Sequence, residues 1–248
     1  MMMTPLMKIP SAMKLLIVDI MGDIHGDAAP LYYWATQYNH DILIIAGDFG
    51  FLFGNTNDLT ICDTFRKKFK HKKVLIVPGN HDDYDQIYDL PQVTIYGAKA
   101  YKLSNNFFYI DRGEILNINN TTFLCISGAD SIDKLWRFGY MKDNPGSKIW
   151  WQQEQITQSD IDNALRNCAK YNYKLDYVIS HEVPIRAKAE ILGNFRYSSA
   201  NSATLLWDLA NQIQFSMWYC GHLHLSWKGT LGDMNFKVLN INEIEEVL

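Results

Sequence analysis

The sequence predicts an α/β fold built on a parallel sheet with right-handed helical crossovers. Two observations predict it. Short apolar runs alternate with stretches whose apolar residues recur at helical spacing, strand first and helix second, through the first third of the chain. Several of these runs also end in a turn that pairs glycine with aspartate or asparagine, or end at a histidine. In α/β sheets such loops at the carboxyl ends of strands carry chemistry on a rigid scaffold.

The elements follow in order. Lys14 to Met21 reads as a strand buried on both faces, ending at the turn Gly22-Asp23. Asp27 is placed to cap the next helix, with Pro30 in its first turn and Leu31, Trp34 and Tyr38 on its inner side. Asp41 to Ala46 forms a second strand, ending at Gly47-Asp48. Residues 58–70 form a second helix, with Ile61, Phe65 and Phe69 aligned. Val74 to Val77 is a third strand, ending at Pro78-Gly79-Asn80-His81. Short strands then follow at Phe107 to Ile110, Glu114 to Ile118 and Thr121 to Ile126, the last two joined by the hairpin turn Asn119-Asn120. Asp160 to Lys170 is helical, Asp176 to Ser180 is a strand ending at His181, and Ala203 to Ile213 is helical. Phe215 to Cys220 is a strand ending at Gly221-His222, and Trp227 to Ile241 closes as a hairpin around Gly232-Asp233. No repeat or linker divides residues 13–248, which read as one domain behind a flexible leader of residues 1–12.

With 248 residues, nearly half of them apolar, the chain can bury a large core, which excludes a disordered or fibrous class. Its net charge of -4 exerts no general pull on nucleic acid, so a phosphate-bearing partner must be attracted locally. Cys62, Cys125, Cys168 and Cys220 are far apart and sit mostly in apolar stretches, the pattern of buried free thiols in a reducing, cytoplasmic setting. No run reaches the length of a membrane span. Lys8 and Lys14 before Leu15-Leu16-Ile17-Val18 imitate a signal peptide, but Asp19 interrupts the run, and secretion is rejected. The composition leaves the oligomeric state open.

Four of the seven histidines lie in Gly22-Asp23-Ile24-His25-Gly26, Gly79-Asn80-His81-Asp82 and Gly221-His222-Leu223-His224. Histidine concentrated beside turn glycines and carboxylates marks a metal centre. A donor set of imidazole, carboxylate and amide without cysteine suits manganese first, with iron, zinc, nickel or magnesium as alternatives. Asp23 and His25, two residues apart, can reach one ion, and His224 can complete its shell. Asp48 can bridge two ions, and Asn80, His181 and His222 suit the second. Two such ions would clamp a phosphate and activate a shared water. His81 would remain unligated and protonate the leaving oxygen as general acid. Asp82 is expected to support it by capping a helix from Asp83 onward.

As an ordered set, Asp23-Ile24-His25, Gly47-Asp48, Gly79-Asn80-His81-Asp82, His181 and Gly221-His222-Leu223-His224 resemble the signature of the calcineurin-like metallophosphoesterases, from about Lys14 to the C-terminus. The resemblance implies a four-layer α/β/β/α sandwich of two mixed sheets with a dinuclear centre at the strand ends. It places Asp23, His25, Asp48 and His224 on one ion, and Asp48, Asn80, His181 and His222 on the other. It also implies hydrolysis of phosphomonoesters, phosphodiesters or pyrophosphates. Protein phosphatases of that superfamily carry arginines where this chain has Phe49-Gly50-Phe51 and Pro78, which argues against a dedicated protein phosphatase.

Arg137 is expected to grip substrate phosphate, supported by Lys134, with a surface salt bridge as the alternative. Both belong to Gly128-Ala129-Asp130-Ser131-Ile132-Asp133-Lys134 and its continuation to Trp150, Trp151 and Glu154, which resembles uncharacterised bacterial members and reads as a lid over residues 127–155. Trp150 and Trp151 are expected to anchor that loop rather than stack a base. The basic run Arg66-Lys67-Lys68 with Lys70, Lys72 and Lys73 reads as a solvated helix end, not a nucleic-acid track. The expected function is hydrolysis of phosphodiesters of nucleotides or nucleic acid. The alternatives are a phosphomonoesterase of small molecules or phosphoproteins, and a catalytically silent scaffold.

Overall fold

Two mixed sheets face each other in the computed structural model, which describes residues 15–54, 59–193 and 201–248; the expected leader, residues 1–12, lies outside them. The first sheet is built from β1 (Val18–Met21), β2 (Ile42–Ile45), β3 (Lys73–Ile76), β4 (Gln92–Ile95), β5 (Ala98–Lys102), β6 (Phe107–Ile110) and β13 (Ile244–Glu246), in the order β13-β1-β2-β3-β6-β5-β4. Strands β1, β2, β3 and β6 run parallel, while β13, β5 and β4 are antiparallel to their neighbours. The second sheet holds β7 (Glu114–Ile118), β8 (Thr121–Ile126), β9 (Lys174–Ser180), β10 (Gln214–Cys220), β11 (Trp227–Leu231) and β12 (Met234–Val238), ordered β11-β12-β10-β9-β8-β7.

Residue alternation along the strands divides the core into three. Ile42 and Ile44 point between the sheets with Val18, Ile20 and Leu75, meeting Phe123, Cys125, Ile179 and Tyr219 from the opposite sheet. Leu43 and Ile45 point outward, onto Leu31 and Trp34 of α1 (Ala29–Gln37) and Ile61 and Phe65 of α2 (Thr60–Lys68). On the other flank Leu124, Val178, Trp218 and Cys220 pack against α5 (Gln158–Ala169), α6 (Ile185–Leu192) and α7 (Asn201–Ala210). Four layers result, helices outside and sheets inside, as the resemblance implied. The side chains of Ile42 to Ile45 are fully buried, each contributing on the order of 1.5–3 kcal/mol of apolar transfer.

The Asn119-Asn120 turn has positive φ at both residues, as a type I′ hairpin requires. All four cysteines are buried and free. Several elements escaped the sequence pattern, four of them for plain physical reasons. The β4–β5 pair lies at a sheet edge with β4 partly exposed, so no continuous apolar run marks it. Strand β13 is short and carries two glutamates. Helix α4 (Lys134–Asp143) turns Leu135 and Trp136 to solvent and buries Arg137, an inversion of helical amphipathicity. The basic run is also not uniformly solvated: buried Lys72 donates from Nζ to the carbonyls of Tyr38 (2.7 Å) and His40 (2.6 Å), over the Trp34 ring. Among the described residues no helix is long and apolar enough to cross a membrane.

Candidate metal centre

The loops leaving β1, β2 and β3 in one sheet and β9 and β10 in the other bring every expected ligand to one edge of the sandwich. Asp23, His25, Asp48 and His224 form a cluster in which one donor atom from each lies within 4.8 Å of the others. His25 Nε2 and His224 Nε2 are 3.0 Å apart, and His224 Nε2 is 3.1 Å from Asp23 Oδ2. The second group adjoins it through Asp48: His181 Nε2 lies 3.2 Å from Asp48 Oδ1 and 3.1 Å from Asn80 Oδ1. The His222 ring follows, its centroid 4.9 Å from that of His181. Asp23, Asp48, Asn80 and His181 are buried, whereas the His224 side chain is 45% exposed, so the cluster opens to solvent on its His224 side.

Backbone strain is concentrated here. His25, Asp48, His222 and His224 all have positive φ, between 46° and 70°. The left-handed region costs an L-residue roughly 1–2 kcal/mol, and such strain persists where the surroundings hold a functional geometry. Two glycines are demanded by close approach: a methyl at Gly79 would overlap Asp48 Oδ1, and one at Gly221 would overlap Asp23 Oδ1. Hydrogen bonds finish the positioning. The His81 N–H donates to Asp48 Oδ1 (2.8 Å), and the His222 N–H donates to both Asp23 oxygens (3.2 and 3.1 Å).

The electrostatics fit divalent cations. Burial opposes ionisation of Asp48, yet the neighbouring His181, His81 and His25 outweigh it and hold the carboxyl well below the usual range. Burial likewise opposes charge on His181, but Asp48 and Asp23 overcome it and push the imidazole up to about 10. His25 Nε2 and His224 Nε2, at hydrogen-bond distance, leave at least one lone pair directed into the group. Two carboxylates, an amide oxygen and four imidazoles directed together form a candidate donor set for divalent metal.

His81 sits beside this cluster, its ring against His25 on one side and Phe53 on another. Its Nε2 lies 2.9 Å from Arg137 Nη2, and a guanidinium only donates, so His81 accepts there and carries its hydrogen on Nδ1. Burial, with help from Arg137, lowers the imidazole to about 4, so it is neutral.

Three expectations need correction. Arg137 was expected to grip phosphate, but its side chain is 1% exposed and its guanidinium already makes four hydrogen bonds within the protein. It donates to Asp133 Oδ1 (2.8 Å), the carbonyls of Asn80 (2.8 Å) and Ile149 (3.1 Å), and His81. Lys134 also turns away, its Nζ 4.2 Å from the centre of the Trp150 ring. Asp82 does not cap the helix that follows: in α3 (Tyr84–Asp89) Asp83 is the cap, accepting from the Gln86 N–H. Asp82 instead accepts the N–H groups of Phe49 (3.2 Å), Gly50 (2.9 Å) and Gly79 (2.9 Å), sewing the loop bearing Asp48 to the loop bearing Asn80. Burial, then Asp48, pushes its carboxyl up to about 6.

The 128–154 segment therefore braces the Asn80-His81 loop. Asn80 Nδ2 donates to Ser131 Oγ (3.3 Å), which directs Oδ1 toward His181, and the Ser131 N–H donates to buried Glu154 (3.1 Å). Sequence reasoning saw the charges at Arg137 and Glu154 but had no signal that both are buried. Trp151 is buried, as expected of a loop anchor. Arg137→Lys is expected to lower kcat about 10²-fold with little change in KM, because one ammonium cannot hold His81 and both carbonyls together. A rise in KM at constant kcat would restore the phosphate-clamp role.

The family model described as calcineurin-like phosphoesterase matches residues 16–226. Among solved structures, phosphopantetheinyl hydrolase from Mycobacterium tuberculosis is similar, with a TM-score of 0.52 and 13% identity, covering 94% of this chain and 96% of that one. An anchor of the inner membrane complex of Plasmodium gives a TM-score of 0.51 at 14% identity, covering 92% and 72%. Likeness at such identities shows the fold alone. No curated protein matches the chain.

Proposed function

Because this chain belongs to the calcineurin-like phosphoesterase family and is a hydrolase of phosphoester bonds, we propose that its substrates are phosphodiesters of nucleotides or nucleic acid, hydrolysed with two divalent ions, manganese foremost. Asp23, His25, Asp48 and His224 would hold one ion, and Asp48, Asn80, His181 and His222 the other. The observation that carries the diester reading is the engagement of Arg137 and Lys134 elsewhere. A phosphomonoester dianion gains most from an added cationic fork, whereas a diester carries one charge and depends on it less. A cavity of about 300 Å³ beside His25, lined also by Ala28, Phe51 and Ile61, supports an organic substituent such as a nucleoside next to the phosphate.

Bound at these ligands, the ions would supply charge for the phosphate and acidify a water. The protein does the rest. His81, neutral, offers its Nδ1–H as a hydrogen bond to the leaving oxygen and so stabilises the departing charge, the proton itself coming from solvent, and Arg137 fixes the ring that does so. Asp82 holds the two ligand loops in register. Residues 13–248 act as one catalytic domain in this reading, and the four buried thiols suit a cytoplasmic setting.

Apo protein reloaded with Mn²⁺ is expected to hydrolyse bis-p-nitrophenyl phosphate and thymidine 5′-(p-nitrophenyl phosphate) faster than p-nitrophenyl phosphate. A faster monoester would replace the reading with a phosphomonoesterase. No turnover of any of the three by the metal-loaded protein would leave a silent scaffold.

A further inference from the structure

Glu182 follows the ligand His181, and its side chain is wholly buried. One carboxylate oxygen is satisfied: Oε1 accepts from Lys188 Nζ on α6 (2.8 Å) and from the Val183 N–H (2.8 Å). The other is not. Among the described residues Oε2 has no hydrogen-bond partner, and His222 Nε2 lies 3.8 Å from it. An unfilled buried carboxylate oxygen is costly unless a donor closes on it in the working state. His222 can be that donor. A ligating imidazole is neutral and has one N–H to give, and the nitrogen facing Glu182 is Nε2. A hydrogen placed there leaves the lone pair on Nδ1.

We propose that Glu182 is a positioning residue for the second metal ion, accepting the His222 Nε2 hydrogen so that Nδ1 is fixed as the ligating atom, with Lys188 holding the carboxylate from behind. The inference rests on the assignment of His222 as a ligand. A carboxylate behind a ligating histidine sets its tautomer and ring orientation, and losing it typically weakens metal binding about 10- to 100-fold. Nothing in the sequence singled out Glu182, because burial and the approach of His222 from the end of the neighbouring strand β10 are visible only in three dimensions.

The test is titration of Mn²⁺ into the apo protein. Glu182→Leu combined with Lys188→Met removes the acceptor while conserving net charge, so long-range electrostatics do not confound the result. This variant is expected to bind one ion with wild-type affinity and the second about 10- to 100-fold more weakly. If the pair is only a structural ion pair, the double variant will take up both ions normally, and the proposal fails. Wild-type protein that takes up no second ion would overturn the dinuclear reading and this proposal together. Independently of any variant, ¹⁵N spectra of the Zn²⁺-loaded wild type should show the His222 hydrogen on Nε2; a hydrogen on Nδ1 overturns the proposal.

Discussion

Asp48→Ala is expected to leave the protein with at most one bound ion where the wild type is expected to take up two, and to reduce turnover by at least about 10³-fold, the equivalent of several kcal/mol of lost charge stabilisation. Asp48 adjoins both ligand groups through its two oxygens: one lies 3.2 Å from His181 Nε2, the other 3.8 Å from His25 Nε2. Its backbone is held as tightly. The Asp48 carbonyl accepts the N–H groups of Ile24 (3.2 Å) and His25 (2.9 Å), while its carboxylate accepts the His81 N–H. Alanine keeps the carbonyl contacts but removes the carboxylate proposed to bridge the two groups. Metal content by elemental analysis after gel filtration checks the prediction. Two ions in a folded Asp48→Ala protein would show that Asp48 does not bridge, and the two ligand sets would need redrawing.

How far the sequence foretold this site depends on what each residue contacts. The candidate ligands were legible because each follows an apolar strand and most, though not His181, lie in a turn that carries glycine, a local pattern that survives without knowledge of the fold. The central strands were legible for the same reason: Ile42 to Ile45 are buried on both faces and spell a continuous apolar run. Roles that depend on burial were not legible. Arg137 on a helix whose apolar residues face solvent reads as a surface cation, yet it is the buried residue of that helix. Asp82 beside a helix start reads as a cap, but Asp83 takes that role, and Asp82 has three backbone N–H groups from two loops to satisfy. In both cases a charged side chain was assigned to substrate or helix by local rules, while tertiary contacts assigned it to bracing the loops that carry the ligands.

The bracing gives the second large prediction its sharpest form. His81→Asn is expected to retain both ions and lose about 10²- to 10⁴-fold in kcat on diesters with poor, alkoxide-like leaving groups, while p-nitrophenolate esters lose far less. The His81 backbone N–H that supports Asp48 survives the substitution, and the asparagine amide oxygen can still accept from Arg137, so the ligand loop stays in place. What disappears is the hydrogen on Nδ1, needed only when the departing oxygen cannot stabilise its own charge. Equal losses on both substrate classes would mean that the His81 Nδ1–H does not stabilise the departing oxygen. If Arg137 acts through His81, their losses cannot add: Arg137→Lys should cost about 10²-fold in the wild type and much less in the His81→Asn background. Full additivity in that double-mutant cycle would separate the two residues and return Arg137 to a role of its own.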